Sequence, residues 1–177
     1  PITMKGTDLL DEDLHELLAQ TIVPWEIPAE NLIIEITENE LLIDEEKAAL
    51  GINKIVALGC KLALDDFGTG YSSMTRLRSM PIDLVKIDQS FVRSIATSIQ
   101  DTAIVLSIVT LAHSLGKAVV AEGVEDSACL NILKQIGCNK IQGYYYAKPM
   151  DFSEFITWLD LFETQQFDLI NQTDSNG

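Results

Sequence analysis

Residues 61–70 read Lys61-Leu62-Ala63-Leu64-Asp65-Asp66-Phe67-Gly68-Thr69-Gly70. An apolar run ends in two adjacent carboxylates and a glycine-bearing turn, the pattern of a buried parallel strand that delivers polar side chains at its C-terminal end. The same pattern recurs along the chain. Leu32–Ile36 carries Glu35, Leu84–Ile87 carries Lys86, Ala118–Glu122 ends on Glu122, and Lys140–Gly143 carries Gln142. Pro1–Met4 reads as the stub of a further strand.

Between these runs lie helical patterns at Asp8–Ile22, Asp44–Leu58, Asp101–Leu115, Asp126–Ile136 and Phe152–Phe162. Three of them close on a glycine, Gly59, Gly116 or Gly137, where a helix C-terminus favours a residue without Cβ. Two shorter pieces, Ser73–Ser79 and Ser90–Ala96, flank the Leu84 strand. Strand and helix in alternation give an α/β fold with a parallel sheet. An open doubly wound sheet would show one dominant glycine-rich phosphate turn after its first strand, and no single turn dominates here. Five strand ends bearing polar groups suit a (β/α) barrel, whose strand ends converge on one mouth. The successive intervals Glu35–Asp65, Asp65–Lys86, Lys86–Glu122 and Glu122–Gln142 are 30, 21, 36 and 20 residues, each long enough for a crossover helix.

Composition limits the partners. The chain has 177 residues, room for one domain with a sizeable core. Twelve Lys plus Arg against 27 Asp plus Glu leave a charge of −15, which argues against a DNA or RNA polymer and against an anionic membrane surface. At 47% hydrophobic residues and a mean hydropathy of +0.16 the chain must bury apolar surface. No apolar run is long enough for a membrane span, and the first residues carry no secretory pattern, so a cytoplasmic protein is expected. Cys60, Cys129 and Cys138 show no ligand spacing and are expected as small thiols in the packing. His15 and His113 sit in helical patterns and suit surface or packing roles.

Four carboxylates, Glu35, Asp65, Asp66 and Glu122, at one mouth would raise one another's pKa unless positive charge stood among them. Lys86 supplies one charge. Oxygen-only ligation suits magnesium, manganese or calcium for the rest, and adjacent Asp65 and Asp66 suit two cations sharing a carboxylate, the arrangement of two-metal phosphoester hydrolysis. Each feature alone has a plainer reading. Gly68-Thr69-Gly70 can be an ordinary turn, Asp65-Asp66 a cap and a surface acid, Lys86 a surface lysine, Gln142 a polar strand end, and Glu38 a helix-start acid. An enolase-like proton abstractor with Lys86 as base is a further metal-dependent barrel chemistry.

The strings Glu35–Glu38 (EITE), Leu64–Ser73 (LDDFGTGYSS), Leu84–Asp88 (LVKID), Val119–Glu125 (VVAEGVE) and Gln142–Met150 (QGYYYAKPM) resemble, in order and spacing, the EAL-domain family of cyclic di-GMP phosphodiesterases. The resemblance reaches to about Phe162. It implies metal-assisted hydrolysis of cyclic di-GMP to the linear dinucleotide. By resemblance Glu35 is a ligand of the first metal, Asp65 is shared by both, Asp66 and Glu122 serve the second, and Lys86 orients the attacking water. Gln142 and Gly143 stand near the nucleotide, and Glu38 holds the loop containing Phe67, Gly68, Thr69 and Gly70. The cofactors implied are Mg2+ or Mn2+.

Two departures from the family follow. The N-terminal strands and the Glu-Ala-Leu signature have no counterpart in this chain, and Thr3 stands where the family has an asparagine ligand. The fold expected is therefore an incomplete TIM-type barrel of about six strands over residues 1–164, with 165–177 a polar, disordered tail. A bare parallel-sheet edge is rarely tolerated, so a homodimer or completion by another chain is expected. The chain by itself is expected to be impaired, or else a non-catalytic cyclic di-GMP-binding or protein-interaction module.

Overall fold

The computed structural model describes residues 2–3, 13–37, 45–69 and 74–174. They fall into two compact units, residues 1–146 and 147–177. The first holds a six-stranded sheet of β1 (Ile2–Thr3), β2 (Ile33–Thr37), β3 (Lys61–Phe67), β4 (Leu84–Ile87), β5 (Ala118–Glu122) and β6 (Lys140–Gln142). All neighbours are parallel and the spatial order equals the chain order. Right-handed crossovers between consecutive parallel strands place the helices along one face, the construction of a (β/α) barrel. Among the described residues no pairing closes β6 onto β1, so the barrel is open, as expected.

The crossovers are α1 (Leu14–Ile22), α2 (Glu45–Ala57), α3 (Met74–Ser79), α4 (Gln89–Val92), α5 (Ile99–Ser114) and α6 (Ser127–Ile136). Their ends follow local chemistry. Asp126 caps α6 by accepting the Cys129 amide at 2.8 Å, and Gly137 closes it at φ 86°. Helix α5 starts before the expected Asp101 because Ser98 accepts the Asp101 amide, leaving Asp101 inside the first turn. The expected helix at Ser90–Ala96 shrinks to α4, since the hydroxyls of Ser94 and Thr97 bond back to nearby carbonyls and favour turns. Asp8 and Asp44 lie outside the described residues.

The core lies between sheet and helices. Ile34, Ile36, Leu62, Leu64, Val85 and Ile87 of the strands meet Ile52, Ile55, Val105, Val109 and Leu133 of the helices, all buried. Every residue of β4 is buried, as for a parallel strand covered on both faces. Cys60 and Cys129 are buried free thiols and Cys138 is half-buried, with burial pushing the Cys129 thiol up to about 11.

In the second unit α7 runs Phe152–Asp174. Its backbone continues past the expected helix end at Phe162 as far as Asp174, and residues 175–177 lie outside the described residues. Phe155, Trp158 and Phe162 stack along it, with centroids 6.1 and 4.9 Å apart. Among the described residues no helix is long and apolar enough to cross a membrane.

Candidate active site

Alternation along each strand decides which side chains share a face. The register sets Glu35 of β2 beside Ala63, Thr37 beside Asp65, Lys86 of β4 beside Val120, and Glu122 beside Gln142. From β4 the Lys86 ammonium meets three carboxylates from three other strand positions: Glu122 Oε1 at 2.7 Å, Glu35 Oε1 at 2.8 Å and Asp65 Oδ1 at 3.0 Å. The Lys86 side chain is only 6% exposed, so these contacts are formed in a site shielded from water.

Burial pulls the Lys86 ammonium down, but its hydrogen bonds to Glu122, Glu35 and Asp65 together outweigh that, and its pKa stands above the ordinary lysine value. Burial acts the other way on Glu122 and lifts its carboxyl above the usual range, against the pull of Lys86. Three carboxylates and one ammonium sum to −2 within the cluster.

Asp66 departs from the regular strand. A regular strand would turn it away from the face that Asp65 occupies. Here the β3–β4 register shifts between Leu64 and Phe67, and Asp66 takes φ 55°, a left-handed conformation rare for a residue with Cβ. Its amide donates to Asp65 Oδ1 at 3.0 Å, and its carbonyl accepts from the Thr69 hydroxyl at 2.9 Å. The strand thus continues to Phe67 through a bulge, and Asp66 is exposed.

Of the other expected site residues, Phe67 is buried, Gly68 takes φ 101° against the Phe91 ring, and Thr69 closes the turn. Gln142 is exposed at the end of β6. Gly143, expected near the nucleotide, lies against the peptide of Val124. Thr3 pairs in register with Glu35. Glu38 and Gly70 lie outside the described residues. The sequence assigns no role to Gly123 or Glu125: Gly123 at φ 72° packs on Gln89, and Glu125 binds Arg93 at 2.9 Å. A glycine directly after a strand-end carboxylate was the available signal.

Among the described residues no group of three His, Cys, Asp or Glu side chains is arranged to hold a metal ion as it stands, because three carboxylates are turned on Lys86. Their chemistry nonetheless fits a divalent cation. The donors are hard oxygens, each carboxylate has a second oxygen, and the cluster carries surplus negative charge.

A family model of the EAL domain matches residues 1–149. The chain is 35% identical over 153 residues to the cyclic di-GMP phosphodiesterase RocR of Pseudomonas aeruginosa, covering 86% of this chain and 38% of RocR. The crystal structure of the EAL domain of Mycobacterium smegmatis DcpA superposes with a TM-score of 0.84 at 34% identity, over 90% of this chain and 71% of that one. Klebsiella pneumoniae BlrP1, in a complex with manganese and cyclic di-GMP, gives 0.79 at 32% identity, over 84% of this chain and 38% of that one. The chain spans between 20% and 38% of the length of curated relatives such as these.

Proposed function

The chain belongs to the EAL domain family, and from that premise we propose that it acts on cyclic di-GMP, hydrolysing one phosphodiester bond to give the linear dinucleotide. The observation that carries this reading is the buried Lys86 ammonium held by Glu35, Asp65 and Glu122 at the C-terminal ends of parallel strands. Magnesium or manganese ions held by Glu35, Asp65, Asp66 and Glu122 would neutralise the phosphodiester and acidify the attacking water.

Lys86 stays protonated, since its carboxylate partners hold its pKa above the ordinary value. It therefore orients a water or a phosphoryl oxygen by donating hydrogen bonds and does not abstract a proton. This disfavours the enolase-like alternative, whose lysine base needs a lowered pKa. Glu122 is the better proton acceptor, because burial raises its pKa above the ordinary glutamate value. Gln142, exposed at the neighbouring strand end, would meet the nucleotide.

Reduced turnover by this chain alone is part of the reading. Among the described residues the sheet is open, and six strands wall the mouth where a closed barrel has eight. A second chain, another copy or a different one, set against the open edges is the partner this implies. A second reading, a module that binds cyclic di-GMP without hydrolysing it, is favoured by the three carboxylates being turned on Lys86.

Chromatography of cyclic di-GMP incubated with the protein and manganese separates the readings. Linear dinucleotide, lost in Lys86→Met, supports hydrolysis. Saturable binding in calcium with no product from any oligomer supports the binding module. Neither binding nor product overturns both.

A further inference from the structure

The segment that follows Glu122 is held from two sides. Gly123, at φ 72°, lies so close to α4 that a Cβ there would come within 2.5 Å of the Gln89 Cβ. The next residue, Val124, is fully buried. Its amide donates to the Gln142 carbonyl at 3.2 Å, and its carbonyl accepts from the Tyr145 amide at 2.9 Å. Between those two bonds stands Gly143, whose absent Cβ would sit 2.1 Å from the Val124 oxygen and 2.4 Å from its nitrogen. No side chain fits there without the Val124 peptide moving. Outside this seat the Arg93 to Glu125 pair ties the same segment to the end of α4.

We infer that Gly143 positions Glu122: its bare Cα lets the exit of β6 close on Val124, and so fixes the carboxylate two residues upstream against Lys86. Gly143 is a positioning residue, and Gly123 supports the same seat from the α4 side. The argument is geometric. Glu122 is the last residue of β5, so the strand ladder holds it on one side only, and the peptide at Val124 is the first fixed point beyond it. A shift of a few tenths of an ångström at Val124 changes the 2.7 Å contact between Glu122 and Lys86, which is shorter than the other two that Lys86 makes. The inference rests on the hydrolytic reading for what Glu122 does and not for where it is held.

The test reads the Lys86 ammonium directly. A shielded, ion-paired ammonium exchanges slowly with water and gives a side-chain nitrogen–proton NMR signal, assigned by its loss in Lys86→Met. In Gly143→Ala this signal is expected to exchange about tenfold faster, with manganese affinity by titration calorimetry about tenfold weaker, as a contact that opens more often requires. The control is Gly137→Ala, at φ 86° with nothing within 4 Å, which strains the backbone but crowds nothing. It should lose stability and leave both readouts unchanged.

An unchanged Lys86 signal in folded Gly143→Ala overturns the inference, as does equal acceleration in Gly137→Ala. Should Gly143→Ala not fold, Gly123→Ala takes its place, and adding Gln89→Gly, which removes the atom at 2.5 Å, should restore slow exchange. Failure of that rescue also overturns the inference. A wild-type chain that binds no manganese sinks the hydrolytic reading instead, and the ammonium signal still decides the role of Gly143.

Discussion

Two buried lysines stand at opposite ends of neighbouring strands. Lys86 belongs to β4 and points into the mouth, where three carboxylates surround it. Lys117 immediately precedes β5 at the other end of the sheet and donates to two neutral acceptors, the carbonyls of Ile82 at 2.8 Å and Met80 at 3.4 Å. Burial lowers the Lys117 pKa against the pull of Asp83, whereas the carboxylates raise that of Lys86 in spite of burial. Lys117 closes the entry loop of β4 and leaves no charge unanswered except its own. Lys86 sits among more negative charge than it can neutralise. Surplus charge at one end and a neutral latch at the other is how a barrel divides binding from stability.

The largest effect that could break this comparison is Lys86→Met in cation-free buffer. Removing the ammonium leaves three carboxylates facing one another in a site shielded from water, and urea unfolding should show a loss of about 3–5 kcal/mol. Added manganese or calcium should recover part of that loss. Lys117→Met should cost less, about 1–2 kcal/mol, since only charge-assisted bonds to neutral carbonyls disappear, and manganese affinity should hold within about twofold. A Lys117 variant that weakens the cation would erase the distinction between the two ends.

The difference between the ends also explains what the sequence could announce. Strand runs such as Leu84–Ile87 and Ala118–Glu122 are legible to the residue, because a buried parallel strand needs continuous apolar side chains and tolerates a polar one only with a partner. A lysine inside the LVKI run therefore signals a charged partner. Its having three partners is a property of the sheet, not of any string. The bulge was not legible: a left-handed Asp66 leaves no mark distinct from an ordinary strand end, and alternation would have turned that carboxylate away. The resemblance puts Gly143 near the nucleotide, and nothing local announces the peptide of Val124, 19 positions earlier, that a side chain there would strike. Contacts of that range follow from register, which the local sequence does not state.

Glu122→Gln sharpens the comparison through pH. Burial raises the Glu122 pKa above its ordinary 4.5, so over a window above that value the folded protein keeps a proton that the unfolded chain has released. In that window stability falls as pH rises, and above it the penalty is constant. Glutamine carries no such penalty, so the stability of Glu122→Gln relative to wild type should grow as pH rises above the ordinary glutamate value, by urea unfolding at each pH. Manganese affinity should drop about 10–100-fold. The opposite slope would mean that Lys86 already answers the charge of Glu122 in full, and that the mouth is as self-sufficient as the latch.

The smallest effect concerns Asp66, where the mouth end of β3 carries a left-handed residue with Cβ. A left-handed residue with Cβ costs about 1 kcal/mol relative to one without, partly offset by the greater freedom of glycine in the unfolded chain. Asp66→Gly should therefore stabilise the fold by about 0.5 kcal/mol while weakening manganese. Asp66→Asn separates the two contributions, because asparagine tolerates the same backbone but loses the carboxylate: stability should stay within about 0.5 kcal/mol and the affinity should still fall. Thermal unfolding with and without manganese reads both. If Asp66→Gly brought no stability, the bulge would be the relaxed shape of this loop and its strain would say nothing about function. A gain in stability together with a weaker cation would show the position being held, at a cost to the fold, for its charge.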